Sequence, residues 1–279
     1  MRAALRFAGT VSSSRTVRSG VRSHWHRAVC RHQSVRVQSS KMSSDTLPTI
    51  RGIIFDMDGT LTVPNHDFKL MYERVGCVTS DILSEIETWD LERQKKANAI
   101  IHEMEMVALE GMTVMPFAAE LGAFLDAAKI PRGLVTRNVD KSVEHFHTEH
   151  WCKHEKCTGL APFSPALSRE FKPYKPAPDA LLKICQEWNL HPSEVMMVGD
   201  SAKDDVVSGN RAGCVTVLLD QSSKWRLEGN TEEGDEKVVD NGVEEDNMLR
   251  GDMVPTFIVS CLSQITPLLC EKYELKGRE

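Results

Sequence analysis

No aspartate or glutamate occurs among the first 44 residues of this 279-residue chain, although the whole carries 40 of them. Arg2, Arg6, Arg15, Arg18, Arg22, Arg27, Arg31, Arg36 and Lys41 stand there instead, among many serines. The segment also lacks the apolar run of a secretory signal, which argues against export. What is left is the composition of an organellar transit peptide, rich in Arg and Ser and free of acids. A mitochondrial destination is expected, with a plastid as the alternative. A basic tail that binds nucleic acid is a competing reading, as is initiation at Met42, which would give a cytoplasmic protein. Leaving this segment out sets 25 Lys and Arg against all 40 acids, a balance of about −15. So acidic a body argues against nucleic acid as the partner of the folded part.

Other absences narrow the class further. No apolar run is long enough to span a bilayer, so a membrane-spanning helix is not expected. The eight cysteines, at 30, 77, 152, 157, 185, 214, 261 and 270, show no paired spacing. They read as reduced core residues in an intracellular compartment rather than as a disulfide framework. No internal repeat is visible. The length suits one α/β domain with an insertion, or two small domains.

What is present is organised around Ile53-Ile54-Phe55-Asp56-Met57-Asp58-Gly59-Thr60. The apolar run predicts a strand buried on both faces, and the Asp-Gly after it a sharp turn at the strand's carboxyl end. Ligands of open α/β sheets bind at that end. Extended geometry would send Asp56 and Asp58 to the same side. Two carboxylates ~4 Å apart repel by roughly 4 kcal/mol at an effective dielectric of about 20, so a cation is expected between them. Alternatively, the pair merely caps the turn.

Along the chain, residues 66–111 carry apolar side chains at helical spacing with dense charge between them, which predicts a small helical bundle. Thr79, Ser80 and Asp81 resemble the N-cap of its second helix. Pro116 is expected to open a further helix. Arg132-Gly133-Leu134-Val135-Thr136 reads as a second strand, followed by a helix over about 139–150, a short strand between Leu160 and Leu167, and a proline-rich connection over 172–178 leading to a helix through Trp188. Val195–Asp200, Cys214–Leu219 and Phe257–Val259 read as later strands, with helices to Arg211 and Leu269. Strands alternating with helices mean α/β, a doubly wound, mostly parallel sheet. Residues 221–252 are rich in acids and poor in apolar side chains, so a disordered loop is expected. The expected organisation is a basic segment over 1–48, a core formed by 49–64 and 113–279, and a helical insert over 65–112.

Three strand ends thus offer polar groups: Asp56 and Asp58, then Thr136, then Asp200 with Asp204 and Asp205. Lys175 lies on the loop between the last two. In isolation Lys175 would be a solvated lysine, Thr136 a helix-capping hydroxyl and Asp200 a turn residue. Together on one sheet edge they fit a Mg²⁺-assisted phosphoryl site, since oxygen ligands suit a hard cation completed by substrate phosphate. A rival cluster, His145, His147, His150, Cys152, His154 and Cys157, raises the question of Zn²⁺. Its spacing matches no standard finger, and a solvated helix end is the simpler reading.

The set resembles the haloacid dehalogenase-like (HAD) superfamily from roughly Arg51 to Leu269. Asp56-Met57-Asp58-Gly59-Thr60-Leu61 is similar to its first motif and Val135-Thr136 to its second. Lys175-Pro176-Ala177-Pro178 is similar to its third, and Val198-Gly199-Asp200-Ser201 with Asp204 or Asp205 to its fourth. The helical insert resembles that of the subgroup containing phosphoglycolate phosphatases and β-phosphoglucomutases. The resemblance implies a Rossmann-like core and a Mg²⁺-dependent phosphatase acting on a small phosphomonoester through an aspartyl-phosphate. Asp56 would be the nucleophile and Asp58 the acid and base. Thr136 would bind the phosphoryl group and Lys175 balance its charge, while Asp200 would hold Mg²⁺ with Asp56 and the Asp58 carbonyl. The second acid of the fourth motif is Asp204 or Asp205. A phosphomutase and a non-enzymatic interaction protein are the alternatives; a dehalogenase would not need Asp58. Substrate identity and oligomeric state are not legible.

Overall fold

The computed structural model describes residues 35–36, 47–65, 67–78, 81–228 and 247–278. The expectations for the basic N-terminal stretch, for Thr79 and Ser80, and for 229–246 lie outside these residues, apart from the short strand β1 (Val35–Arg36).

Ile53 and Phe55 are wholly apolar neighbours of Ile54, and in an extended chain both must face the opposite way from it. They do so in β3 (Gly52–Phe55), which follows the short strand β2 (Thr49–Ile50) and has every residue buried. Ile53 and Phe55 join the core on one face with Met196 and Val198, while Ile54 joins Val135, Ile184 and Met197 on the other. β3 lies at the middle of the sheet, parallel to β4 (Arg132–Val135) and to β6 (Val195–Gly199). β5 (Ala166–Leu167) continues one side, and β7 (Val215–Leu219) then β10 (Phe257–Val259) the other, all parallel. β1 adds antiparallel to β10 at the edge. The expected doubly wound, mostly parallel sheet is what forms.

Register decides where the polar residues stand. Phe55 pairs with Leu134 on one side and Val198 on the other. Asp56, Thr136 and Asp200 therefore leave the sheet within a residue of the same level, on one edge.

The insert consists of α1 (Phe68–Val75), α2 (Ile82–Glu87) and α3 (Leu91–Glu110). Aspartates 67, 81 and 90 cap them, each accepting a hydrogen bond from a backbone N–H three residues on, so local sequence sets each helix start. Met71, Ile82, Ile86, Ala97 and Ile101 form a small core of their own. The chain leaves and returns side by side: Val63 N donates to Thr113 O at 2.9 Å, and Met115 N to Leu61 O at 2.8 Å. Among the described residues no helix is long and apolar enough to cross a membrane.

Four expectations are corrected. The helix after Pro116 is α4 (Ala118–Ala127), and Phe117 at φ 69° makes the turn into it. The helix expected over 139–150 is α5 (Asp140–His145) continued by a wider π-helical turn, Phe146–Trp151. That turn is a solvated helix end on one face only, with Cys152 exposed. Phe146 and Trp151 are fully buried, and His147 is clamped between Val143 O (3.0 Å) and Phe163 N (3.2 Å). Phe163 N must donate, so His147 Nε2 accepts and Nδ1 carries the proton; burial pushes its pKa down. Finally, the ends of the 221–252 stretch are packed, because Trp225 is buried and β8 (Arg226–Leu227) pairs in parallel with β9 (Met248–Leu249). Acid counts describe the middle of that stretch; an aromatic and two leucines anchor its ends.

Candidate active site

Asp56 emerges from β3 with its N–H donating to Val198 O at 2.9 Å, so the neighbouring strand fixes its backbone. The chain then wraps tightly around one carbonyl: Leu61 N and Thr62 N donate to Met57 O at 2.8 and 2.9 Å. Gly59 sits at φ 85°, and a Cβ there would lie 2.5 Å from Asp200 Oδ2. Glycine is therefore required twice, for the backbone and for the approach of a carboxylate. Gly199 plays a related part, since a Cβ on it would collide with the Asp205 carboxylate.

Lys175 is buried, reached by the proline-rich connection before α6 (Asp179–Trp188). Its Nζ lies 2.6 Å from Asp56 Oδ1 and 2.6 Å from Asp205 Oδ1. Asp56, Asp200 and Asp205 each offer an oxygen within 4.8 Å of the others, the one such grouping of three or more acid, His or Cys side chains among the described residues. The His and Cys residues of 145–157 thus do not converge as a metal set.

Three carboxylates around one ammonium dominate the electrostatics. Burial raises the Asp56 pKa well above the carboxylate range, Lys175 pulls it back, and Asp205, Asp200 and Asp58 add to the rise. Asp200 is pushed up to about 7, first by burial and then by Asp205. Burial alone would lower Lys175, yet Asp205 and Asp56 hold it above its ordinary value. Asp200 accepts no hydrogen bond from the described residues. A half-buried carboxylate in that condition, beside two other acids, costs free energy unless a cation or proton joins it.

Asp204 and Asp205, left open by the sequence, separate here. Both lie in a π-helical turn, Ala202–Val206, and so point to different sides. Asp205 stands in the cluster and also accepts from Ser201 N at 3.0 Å. Asp204 turns away and takes both oxygens to Arg137 Nη1 at 3.1 Å. Its place among the metal ligands is corrected accordingly.

Asp58 reaches the same cavity as Asp56 and accepts from Asn138 Nδ2 at 3.1 Å. Thr136 is buried, and its hydroxyl accepts from Asn138 N at 3.0 Å, so the simple capping role coexists with a place in the cavity wall. All seven sequence-selected residues line one cavity of about 350 Å³ beneath the helical insert. Several neighbours were missed. Arg137 and Asn138 directly follow Thr136, and Arg169 follows the end of β5 by two residues, so the strand-end rule could have found them. Lys224, Asp81 and Glu105 line the cavity with no comparable sequence signal.

Comparison with known proteins returns the same identification. The model of the haloacid dehalogenase-like hydrolase family matches residues 50–213, and a HAD-hydrolase-like model matches 174–259. A haloacid dehalogenase-like hydrolase domain-containing protein of Arabidopsis thaliana is 39% identical over 254 residues, covering 87% of this chain and 93% of its own. Hexitol phosphatase A of Escherichia coli is 28% identical over 187 residues, covering 61% of this chain and 82% of its own. The crystal structure of a predicted phosphoglycolate phosphatase from Haemophilus somnus superposes with a TM-score of 0.51 at 17% identity, covering 78% of this chain and 97% of its own. That last likeness is one of fold.

Proposed function

Because this chain belongs to the haloacid dehalogenase-like hydrolase family, we propose that it is a Mg²⁺-dependent phosphatase that cleaves a small phosphomonoester through a phosphoryl group carried on Asp56. One observation carries the reading: Asp56, lining the cavity, is packed against Lys175 and two further carboxylates, Asp205 buried and Asp200 half-buried. The donor set fits the metal. All the groups are oxygens, three acids face one lysine, and Asp200 lacks a hydrogen-bonding partner among the described residues. Asp56, Asp200 and Asp205, with the Asp58 carbonyl, would hold the ion, which when bound sets positive charge against the phosphoryl oxygens.

The chain's own groups supply the rest. An Asp56 oxygen attacks phosphorus, forming the acyl phosphate as the bond to the leaving oxygen breaks. Asp58 gives that oxygen its proton. Water then attacks phosphorus, Asp58 takes a proton from it, and the Asp56 carboxylate is released with inorganic phosphate. Lys175 pulls Asp56 towards its ionised form and balances the transferring charge, and the Thr136 hydroxyl can donate to a phosphoryl oxygen. The helices over 68–110 act as a cap that excludes bulk water. Phosphate release from a panel of phosphomonoesters, measured with Mg²⁺ and with chelator, tests the reading; no Mg²⁺-dependent release from any of them would refute it. The basic segment over 1–44 is proposed to direct the protein to mitochondria, which imaging of that segment fused to a fluorescent protein would check.

A further inference from the structure

Two acids of the cap reach the cavity, Asp81 and Glu105. Each is held by an arginine from the sheet side. Arg137, after β4, places Nη2 2.5 Å from Asp81 Oδ1 while its Nη1 holds Asp204. Arg169, after β5, places Nη1 2.6 Å from Glu105 Oε1. These are short, charge-assisted bonds, the one to Glu105 largely buried and the one to Asp81 partly exposed. With its acids tied to those arginines, the cap presents a different surface to the cavity. Among the described residues it offers Phe68, Met71, Ile82, Leu83 and Ile101, and a tyrosine, Tyr72, whose hydroxyl accepts from Ile82 N at 3.3 Å.

Resting on the phosphatase reading above, we propose that this wall selects phosphomonoesters whose leaving group is compact and apolar over those of sugars and polyols. A hydroxyl turned towards Phe68, Met71, Ile82, Leu83 or Ile101 would give up water and find no partner in those side chains. A branched or cyclic alkyl group would bury apolar surface at the same place. At about 350 Å³ the cavity lies at the small end of ligand pockets, which argues against a nucleotide. Arg137 is a positioning residue in this scheme. Asp81 is the N-cap of α2, so the arginine that grips it fixes the helix carrying Ile82 and Leu83.

The test compares kcat/KM of the full chain with Mg²⁺ for two series of similar size: isopentyl and cyclohexylmethyl phosphates against a tetritol and a hexose phosphate. Alkyl alcohols leave no more readily than polyols, so a preference reports binding rather than leaving-group chemistry. The alkyl series is expected to lead by at least about tenfold, within the roughly hundredfold that a hydrophobic pocket achieves against one added hydroxyl. Leu83→Gln, which sets an amide in the wall, should narrow the ratio mainly through KM; Arg169→Met, which releases Glu105, should narrow it as well. A merely structural effect would lower both series by the same factor. Equal rates, or faster turnover of the polyol series, would overturn the proposal. If neither series nor any other phosphomonoester is hydrolysed, the phosphatase reading itself fails, a different and recognisable result.

Discussion

Lys175 stands between Asp56 and Asp205, its Nζ 2.6 Å from one oxygen of each, with all three side chains buried. Removing the ammonium leaves buried carboxylates without their cation, which typically costs about 3–5 kcal/mol. Lys175→Met, close in volume, is therefore expected to lower the unfolding free energy by that order and to abolish turnover. Denaturant unfolding with and without Mg²⁺ checks this: added Mg²⁺ should recover part of the stability and none of the activity.

The neighbours Asp204 and Asp205 should behave differently. Asp205→Asn removes a carboxylate from the cluster and is expected to weaken Mg²⁺ binding more than tenfold, about 1.4 kcal/mol or more. Asp204→Asn leaves the cluster intact and frees Arg137, so Mg²⁺ affinity should change little while KM rises. Titrating Mg²⁺ into both variants by calorimetry separates them; equal losses would contradict the placement.

Gly59 is constrained twice on the metal side, by its positive φ and by the approach of Asp200. In Gly59→Ala the new methyl would stand 2.5 Å from Asp200 Oδ2 on a backbone at φ 85°. Strain of about 1–3 kcal/mol is expected, together with a displaced Asp200 and weaker Mg²⁺ affinity. Thermal unfolding and Mg²⁺ titration measure the two effects separately.

Asp200 gives a pH signature. Its pKa is raised from 3.8 to about 7, so the protonated carboxyl favours the folded state. That contribution is full below about pH 4 and is lost as pH rises towards 7, at up to about 1.4 kcal/mol per pH unit for one proton. Mg²⁺ takes the ionised form and so competes with the proton. The Mg²⁺-induced rise in Tm should be larger near pH 8 than near pH 6. In Asp200→Asn that difference should shrink, and an unchanged pH dependence would contradict the assignment.

Much of this was legible because the chemistry sits where strands end. Ile53–Phe55 and Val195–Gly199 are apolar throughout, which only a sheet covered on both faces explains, and the acids that close each run had to fall on one edge. The same logic brought Lys175, Thr136 and Asp200 together from distant segments. Between Asp204 and Asp205, the count back from Ala212-Gly213 leans to Asp205, and the π-helical turn that separates the two side chains decides it. The residues 145–157 misled for a related reason: six His and Cys side chains look like ligands or a solvated surface, whereas Phe146 and Trp151 turn the segment inwards. Glu105 was invisible because an acid on a cap helix reads as solvent-facing until Arg169 is seen beneath it, and Asp81 was legible as a helix cap but not as the partner of Arg137.

The central claim is that Asp56 carries the phosphoryl group. Acid quenching of the enzyme during turnover of a good substrate with Mg²⁺, followed by peptide mass analysis, tests it directly. The account predicts one phosphoryl group on the peptide containing Asp56, accumulating in Asp58→Asn, whose second step is slowed, and absent from Asp56→Asn, which releases no phosphate. Full turnover by Asp56→Asn, or a phosphoryl group carried on another residue, would contradict it.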